Sequence, residues 1–247
     1  RISPDQWDKA LKELSAASSD SIIDVTGAFT HLASADAADN PSNNRQKAQF
    51  DAAIEELQAA GIPVRINHMC NSPASVNRPD MFYQMVRPGV ALYGMDPLEE
   101  PADRSSSTGS SLVSQLKPAM TLSAPIVAKR LVKAGESVSY GGTWTADVDT
   151  VTGVVPAGYA DGIPRALSGR MEVAINGRRY PQIGRVCMDQ IVVALGPAGS
   201  EQASAVHQGD EAIIFGPPGE CTGSDGKPAP LPTATELAKT LGTIHYE

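Results

Sequence analysis

The sequence contains few cysteines, no long apolar run and no dense patch of basic residues. The three cysteines, Cys70, Cys187 and Cys221, are odd in number and form no C-x-x-C pair. The sequence therefore predicts neither a disulfide framework nor a zinc site. No run of about 18 apolar residues is available to span a membrane, and the N-terminus lacks the pattern of a signal peptide. These absences predict a soluble protein in a reducing cytoplasm.

The charge balance is acidic, which excludes one class of partner. The chain has 20 Lys and Arg against 28 Asp and Glu, for a formal net charge of -8. Because nucleic-acid binding needs a dense basic patch, we expect no nucleic-acid partner. The densest basic point, Arg178 and Arg179, is predicted to lie on a solvated turn. With 41% hydrophobic residues in a chain of 247, one large domain or two smaller ones are possible.

The first 111 residues alternate helical and strand patterns, which predicts an α/β fold with a parallel sheet or barrel. Ser3 followed by Pro4 is typical of a helix start, and Gly61 followed by Pro63 is typical of a helix end. Helices are expected over residues 4–17 and 43–60, and strands over 22–30, 64–67 and 85–93.

After a Ser-rich run at 104–111, short β-type segments alternate with Gly and Pro. From residue 112 onward this pattern predicts a separate, mainly β domain that ends in a short helix at 233–241. Domains are therefore expected at 1–111 and 112–247. Strands of the second domain are expected over residues 120–132, 148–156, 171–175, 191–195 and 211–215.

Two polar segments of the first domain point to chemistry. The segment His68–Ser72 directly follows a predicted strand, and active sites form at the C-terminal ends of barrel strands. A loop with a serine that caps a helix is the ordinary alternative. Arg87 lies beside Gly89 in an otherwise apolar strand, and a buried arginine needs an acceptor to offset its desolvation. A salt bridge to a neighbouring carboxylate would provide one.

Together with blocks elsewhere in the chain, these segments resemble the alanine racemase family. The blocks occur in the family's order and extend along the whole chain, although His245 stands where the family usually has Asn. They cover residues 1–4, 27–36, 68–72, 87–94, 139–144, 158–165, 184–190 and 242–247.

The resemblance implies a fold and a reaction. The fold would be the second half of a (β/α)8 TIM-type barrel followed by a mainly β C-terminal domain. The reaction would interconvert L- and D-alanine with pyridoxal 5′-phosphate as cofactor, through two bases that transfer the α-proton, and would supply D-alanine for peptidoglycan. A racemase of another small amino acid, such as serine, stays open as an alternative.

The resemblance also implies the contacts of the cofactor. Arg87 would face the pyridine nitrogen and, because a guanidinium group keeps its proton, would leave that nitrogen unprotonated. His68 would orient Arg87. The phosphate group would be held by Ser72, by the backbone at Gly89 and Val90, and by the Tyr246 hydroxyl.

Tyr140 is implied as the base that removes the α-proton of the L-enantiomer, with His31 hydrogen-bonded to it. A phenol ordinarily titrates near 10, so such a base needs cationic neighbours, and Arg87 and His31 are available. An aromatic residue beside a Gly-Gly turn of a hairpin is the ordinary alternative. In the family the β domain of one subunit completes the site of the other, which implies a homodimer. Implied substrate contacts are Arg1, Cys187, Met188 and Asp189, and the entrance would be lined by Tyr159, Arg165 and Ile244.

One expected group is missing from the 247 residues. The family's Schiff-base lysine lies on the first barrel strand, upstream of the position that Arg1 matches, and none of the eight lysines replaces it. We therefore expect the chain to be a piece of a longer protein, which also continues beyond Tyr246, and to be inactive alone.

Three other classes of protein share some of these features. A non-catalytic pyridoxal-phosphate-binding barrel protein would lack a β domain and the block around Tyr140. A decarboxylase of basic amino acids shares the barrel-plus-β architecture but has different motifs. A structural or carbohydrate-binding β module would explain residues 112–247 and leave Arg87 and His68 without a role.

Overall fold

A computed structural model of the chain describes residues 2–37, 39–98 and 112–246. The chain forms two compact units, which are separated in sequence between Lys117 and Pro118. Helices and extended segments make up the first unit, and antiparallel strands dominate the second. No helix within the described residues is long and apolar enough to cross a membrane.

Three α-helices of the first unit lie within residues 2–37 and 39–98. They are α1 (Trp7–Ser19), α2 (Pro41–Ala59) and α3 (Ser72–Asn77). Helix α2 begins after Asn40, whose side chain accepts a hydrogen bond from the Ser42 N–H. It ends before Gly61, whose φ of 78° is the left-handed conformation expected at a helix end. Packed around α2 is a core that includes Leu32, Phe50, Ile54, Leu57, Ile62, Val64 and Met69.

The first helix begins later than the sequence predicted. Residues Pro4–Gln6 form a 3-10 turn, closed by a hydrogen bond from the Gln6 N–H to the Ser3 carbonyl (3.0 Å). Helix α1 follows from Trp7, and Gln6 makes no side-chain capping bond. Ser3 therefore starts a tighter turn and does not cap the α-helix.

The strands expected over 22–30 and 64–67 are not regular strands. These segments run parallel and pair at one isolated bridge, between Phe29 and His68. The Ala28 N–H donates to Oδ1 of Asn67, and the Asn67 N–H donates to Oε1 of Gln84, both at 3.0 Å. Since side-chain amides occupy donors that backbone carbonyls would bind in a ladder, continuous pairing does not form.

The third expected strand, over 85–93, is also not a regular strand. Its second half is a 3-10 turn, Val90–Tyr93, which begins after Gly89. Within the described residues, the first unit thus contains no regular β-strand. The expectation of a partial barrel is not confirmed by these elements.

Gly27 lies at a close approach of the two extended segments. A Cβ atom added there would lie 1.7 Å from the carbonyl oxygen of Ile66. We therefore predict that Gly27→Ala lowers the free energy of unfolding by about 3 kcal/mol, the upper end of the usual cost of overpacking. Urea denaturation of the chain would measure this loss.

The matched control is Gly61→Ala, because Gly61 has a φ of 78° and no atom within 4 Å of the added Cβ. It should lose only the about 1 to 2 kcal/mol of a left-handed alanine. Equal losses in the two variants would show that the segments do not approach closely at Gly27.

The second unit is built on a nine-stranded sheet in the order β1-β9-β6-β7-β8-β5-β2, with β10 beside β7 and β11 beside β10. Strands β3 and β4 form a separate pair. Two short helices, α4 (Glu201–Ser204) and α5 (Ala234–Leu241), complete the unit. The strands are β1 (Leu122–Pro125), β2 (Ala128–Val132), β3 (Ser137–Val138), β4 (Trp144–Thr145), β5 (Thr150–Val155), β6 (Glu172–Ile175), β7 (Arg178–Ile183), β8 (Ile191–Pro197), β9 (Glu211–Phe215), β10 (Glu220–Thr222) and β11 (Pro228–Pro230).

Most of the β elements agree with the sequence pattern. The segment expected as one strand over 120–132 is divided, because β1 pairs with β9 and β2 pairs with β5. Ile126 lies fully buried between them. The short helix expected over 233–241 is α5, and it is capped by Thr233, whose side chain accepts from the Glu236 N–H at 3.2 Å.

The expectation of a solvated turn is wrong for Arg179. Its side chain is buried, with two guanidinium nitrogens each 2.6 Å from a carboxylate oxygen of Glu236. Glu172 provides a third contact, at 3.2 Å. Arg179 belongs to strand β7, and the solvated turn is formed by Asn176 and Gly177 before it. The two carboxylates offset the desolvation of the buried cation.

Candidate active site

The first unit gathers predicted residues from separate segments around the guanidinium group of Arg87. Its Nη1 lies 2.6 Å from Nδ1 of His68. Its Nη2 donates to the Thr30 carbonyl at 2.9 Å and to the Met69 carbonyl at 3.4 Å. Nδ1 of His31 lies 3.4 Å from the same nitrogen. One cation therefore connects the two extended segments and the loop that follows them.

Arg87 is not explained by a salt bridge. Among the described residues, no carboxylate lies within ion-pair distance of its guanidinium group. Burial lowers the pKa of Arg87 from its ordinary value, yet an arginine keeps its proton in proteins. A half-buried cation held by uncharged acceptors remains able to face an electron-rich group.

His68 is held as a neutral acceptor. Because a guanidinium group can only donate, Nδ1 of His68 accepts and its ring proton lies on Nε2. Burial and the charge of Arg87 lower the pKa of His68. The Phe29 ring stacks on His68, with centroids 5.3 Å apart and planes 5° apart, and Cζ of Arg87 lies 5.7 Å from the Phe29 centroid. Phe29 thus contacts both members of the pair.

The pKa of His68 gives a prediction about pH. Since the pKa is lower in the folded chain than in the unfolded chain, the unfolded chain takes up the proton first as the pH falls. The contribution to stability is present above the ordinary histidine value of about 6.5 and is lost as the pH falls below it. We expect His68→Asn, which keeps an acceptor but does not titrate, to weaken the dependence of stability on pH between pH 7.5 and pH 5.

Urea unfolding at the two pH values would measure this difference. His207→Asn is the control, because the His207 side chain is 75% exposed and lies in the other unit. An unchanged pH dependence in His68→Asn would show that His68 carries no buried neutral imidazole.

A second group of donors surrounds Ser72, the first residue of α3. The buried Ser72 hydroxyl oxygen accepts from the Gly89 N–H at 2.7 Å and from the Ala91 N–H at 3.3 Å. With both lone pairs occupied, its proton is available to an acceptor. Val90, also buried, lies between these donors on the same turn. Because the Gly89 and Ala91 N–H groups already donate to the serine, the Ser72 hydroxyl is the donor of this group that can bind an anionic oxygen such as that of a phosphate group.

The serine is not the helix cap. Asn71 caps α3, because its side chain accepts from the Ala74 N–H at 3.4 Å. The ordinary alternative for this loop, a capping serine, is therefore wrong, and Ser72 is left to join the donors of the 89–91 turn.

Cys70 lies in the same loop but is unsuited to nucleophilic chemistry. Its side chain is fully buried and its Sγ–H donates to the Met81 carbonyl at 3.1 Å. Burial and the Asp80 carboxylate raise the pKa of Cys70 to about 11. A thiol that stays protonated at neutral pH packs in the core and does not react.

In the second unit, two predicted blocks are joined by backbone hydrogen bonds. The Tyr159 N–H donates to the Cys187 carbonyl at 2.9 Å, and the Ala160 N–H donates to the Met188 carbonyl at 2.8 Å. Gly158 permits this contact, because a Cβ there would lie 2.3 Å from the Cys187 oxygen. Tyr159 and Met188 are therefore neighbours and are both exposed.

Tyr140 begins a 3-10 turn between β3 and β4, and its side chain is 73% exposed. By contrast, the hydroxyls of Tyr83 and Tyr180 donate to the Asp51 carboxylate and the Gln202 carbonyl. Tyr140 thus presents its phenol on a surface turn. Next to it, the guanidinium group of Arg185 packs against Gly141.

The remaining predicted residues lie at exposed positions of the second unit. Arg165 begins a 3-10 turn, Asp189 follows Met188, and Ile244 and Tyr246 lie near the end of the described chain. The ring of Tyr246 stacks near that of His245, with centroids 6.2 Å apart. Arg1, the predicted ligand of a substrate carboxylate, lies outside the described residues.

Several contacts were not predicted from the sequence. Phe29, the Thr30 carbonyl, Ser139 and Arg185 all contact predicted site residues or their turns. Each lies inside one of the blocks that resemble the family, so position within a block was the available signal. An apolar ring, a backbone carbonyl or a small side chain does not by itself indicate a functional site in a sequence.

Both units match models of one protein family. The family model described as "Alanine racemase, N-terminal domain" matches residues 2–97, and that described as "Alanine racemase, C-terminal domain" matches residues 119–247. The alanine racemase of Mycolicibacterium vanbaalenii is 46% identical over 95% of this chain and 54% of its own length. That of Mycobacterium avium is 43% identical over 100% of this chain and 58% of its own length.

A solved structure gives the same result. The alanine racemase from a D-cycloserine-producing Streptomyces lavendulae superposes with a TM-score of 0.80 at 35% identity, over 99% of this chain and 58% of that one. The chain therefore spans little more than half the length of the relatives that it matches.

Proposed function

The chain belongs to the alanine racemase family, and on that premise we propose that it provides part of an active site that interconverts L- and D-alanine. It shares that family's fold, a barrel domain followed by a β domain, and we propose that the first unit is the second half of the barrel. The observation that carries the function is the pairing of Arg87 with neutral His68 beside the donors at Ser72.

The donor set fits pyridoxal 5′-phosphate. Arg87 would donate to the pyridine nitrogen, with His68 holding the guanidinium group in place. Ser72 and the backbone at Gly89 and Val90 would hold the phosphate, joined by the Tyr246 hydroxyl, and the Gly89 N–H would exchange its bond to Ser72 for one to the phosphate. When bound, this cofactor withdraws electrons from the substrate α-carbon and so makes its proton removable. Because Arg87 does not give up its proton, it limits how much charge moves into the ring.

Acid and base groups would come from both units. Tyr140 would exchange the α-proton on one face of the substrate, with His31 hydrogen-bonded to its phenol. The substrate carboxylate would be bound by Arg1 and the Met188 backbone, with Cys187 and Asp189 beside them. The entrance would be lined by Tyr159, Arg165 and Ile244. A narrow entrance suits the methyl side chain of alanine, and serine stays the alternative substrate.

This arrangement implies an assembly. We propose a homodimer in which Tyr140 and Met188 of one subunit complete the site around Arg87 of the other. The product D-alanine would serve peptidoglycan synthesis. The three cysteines are unpaired, which agrees with the reducing cytoplasm that we propose as the location.

The test of the function is the conversion of L-alanine to D-alanine by an enzyme that contains this chain, followed by chiral chromatography. Equal approach to the racemic mixture from either enantiomer is expected, because the equilibrium constant of racemisation is unity. Release of carbon dioxide from lysine, arginine or ornithine without racemisation would instead identify a decarboxylase.

We propose that none of the eight lysines holds the cofactor covalently. Nζ of Lys129 donates to the carbonyls of Ala203 and Val206, and Lys133 pairs with Asp149. Ion pairs also engage Lys9, Lys47 and Lys227 with Glu13, Asp51 and Asp225. We propose that the required lysine is supplied by polypeptide other than these 247 residues.

The chain of 247 residues is therefore predicted to show no racemase activity with added pyridoxal phosphate, because the proposed site lacks a lysine that forms the Schiff base. Borohydride reduction followed by peptide mass spectrometry should find no lysine modified at one equivalent. Stoichiometric labelling of a single lysine, together with racemisation, would contradict the prediction.

A further inference from the structure

Ser139, the residue before Tyr140, combines two unfavourable features. Its φ of 65° and ψ of 172° lie in a region that is almost exclusive to glycine. Its side-chain oxygen is buried and has no hydrogen-bond partner among the described residues. A strained backbone of this kind costs about 1 to 3 kcal/mol and persists only where the surrounding structure imposes it.

The neighbouring segment Gly184–Arg185 packs closely against this turn. Gly184 has a φ of 67°, and a Cβ added there would lie 2.7 Å from Oγ and 2.8 Å from Cβ of Ser139. A Cβ added at Gly141 would lie 3.2 Å from Cζ of Arg185. Residues 184 and 185 therefore contact the turn on both sides of Tyr140 in sequence.

That segment is itself anchored in the core. Gln182 is only 2% exposed, and its side chain donates to the Gly184 carbonyl at 3.1 Å and accepts from the Gly169 N–H at 2.6 Å. One residue beyond Arg185, the Val186 N–H donates to the Ser168 hydroxyl at 2.9 Å. The contacts on the turn are therefore made by a rigid part of the second unit.

We propose that Ser139, Gly184 and Arg185 are positioning residues, which together form a clamp that holds the Tyr140 phenol where it exchanges a proton. The proposal rests on the function proposed above for Tyr140. Because the Tyr140 side chain is 73% exposed, its position depends on the backbone of the turn. Proton transfer requires heavy atoms within about 2.6 to 3.2 Å, so a small movement of the turn removes the base from reach.

The test compares two glycines. Gly184→Ala places a Cβ against Ser139, whereas Gly177→Ala, with a φ of 76° and no atom within 4 Å, adds only left-handed strain. In a racemase that contains this chain, we expect Gly184→Ala to lower kcat about 100-fold, the loss caused by a displacement of about 1 Å, with KM unchanged. Gly177→Ala should keep the original kcat. Adding Ser139→Gly to Gly184→Ala should restore part of the loss, because the atoms that collide are removed.

A spectroscopic measurement on the 247-residue chain separates positioning from catalysis. With 3-fluorotyrosine at the six tyrosines, the Tyr140 signal is the 19F resonance absent from Tyr140→Phe. Gly184→Ala should shift and broaden that signal alone. Arg185→Met, which introduces no collision, should do the same, and Arg178→Met on the adjacent hairpin is its control.

Two results would overturn the proposal, for different reasons. Variants at 184 and 185 that match their controls in both kcat and the Tyr140 signal would show that there is no clamp, while the function of Tyr140 would stand. Full racemase activity in Tyr140→Phe would instead show that Tyr140 is not the base, and the clamp would then have no part in the reaction.

Discussion

Replacement of Tyr140 by phenylalanine is expected to lower kcat/KM for racemisation by about 10²- to 10⁴-fold, the usual loss for a general base. The substitution removes the phenolic oxygen and keeps the ring on its turn. Because the equilibrium constant is unity, the loss must be equal in both directions. Rates of racemisation alone therefore cannot assign Tyr140 to one face of the substrate.

Isotope exchange in heavy water makes that assignment. In Tyr140→Phe, the base on the opposite face is intact, so D-alanine can lose its α-proton and recover a deuteron from the same side. We expect D-alanine to exchange with retained configuration and L-alanine to exchange far more slowly. Nuclear magnetic resonance of the α-hydrogen combined with chiral chromatography would measure both rates.

The matched control is Tyr159→Phe, which changes the other tyrosine of a predicted block. Tyr159 is also exposed, but its turn is bonded to the carbonyls of Cys187 and Met188. Loss of the Tyr159 hydroxyl should change KM for alanine more than it changes the rate of α-hydrogen exchange. Fast exchange of L-alanine in Tyr140→Phe, with slow exchange in Tyr159→Phe, would transfer the role of base to Tyr159.

Arg87→Glu is expected to lower kcat by about 10²- to 10³-fold, the usual loss of an electrostatic donor in an active site, and to open a side reaction. Arg87 donates to His68 and to the Thr30 carbonyl, and a carboxylate can do neither. A glutamate carboxylate also stabilises a protonated pyridine nitrogen, whereas Arg87 keeps its own proton and leaves that nitrogen unprotonated. Charge would then spread further from the α-carbon, so pyruvate should form from alanine by transamination.

The measurement is the ratio of pyruvate to D-alanine in the folded fraction. Arg45→Glu, on the exposed face of α2, provides the same change in charge without touching the site and should leave the ratio unchanged. Arg87→Lys should lose rate without forming pyruvate, because it keeps a cation. An unchanged ratio of pyruvate to D-alanine in folded Arg87→Glu would show that Arg87 only connects the two extended segments.

Most errors of prediction share one cause. The strands expected over 22–30 and 64–67 have suitable residues, yet the amides of Asn67 and Gln84 take ladder positions from seventeen or more residues away. Arg179 was expected on a solvated turn, but its carboxylate partner Glu236 lies 57 residues later. Neither partner is visible in a local window of sequence.

The sequence indicated candidate site residues where their chemistry is distinctive. Arg87 and His68 stood out as polar groups next to apolar strands, and the order of the blocks associated them with Ser72 and Tyr140. The positive φ of Ser139 was not predictable, because Gly184, which packs against it, is distant in sequence. The stacking of Phe29 on His68 likewise depends on the parallel bridge between their segments.

The sequence by itself determined a helix over 43–60, which the structure has as α2, most strands of the second unit and the short helix α5. These features depend on contacts within a few residues, whose propensities and capping bonds act locally. Only the tertiary structure decided which cation is buried, which serine accepts backbone donors and which turn is strained. Those outcomes depend on partners distant in sequence, whose hydrogen bonds and packing outweigh local preference.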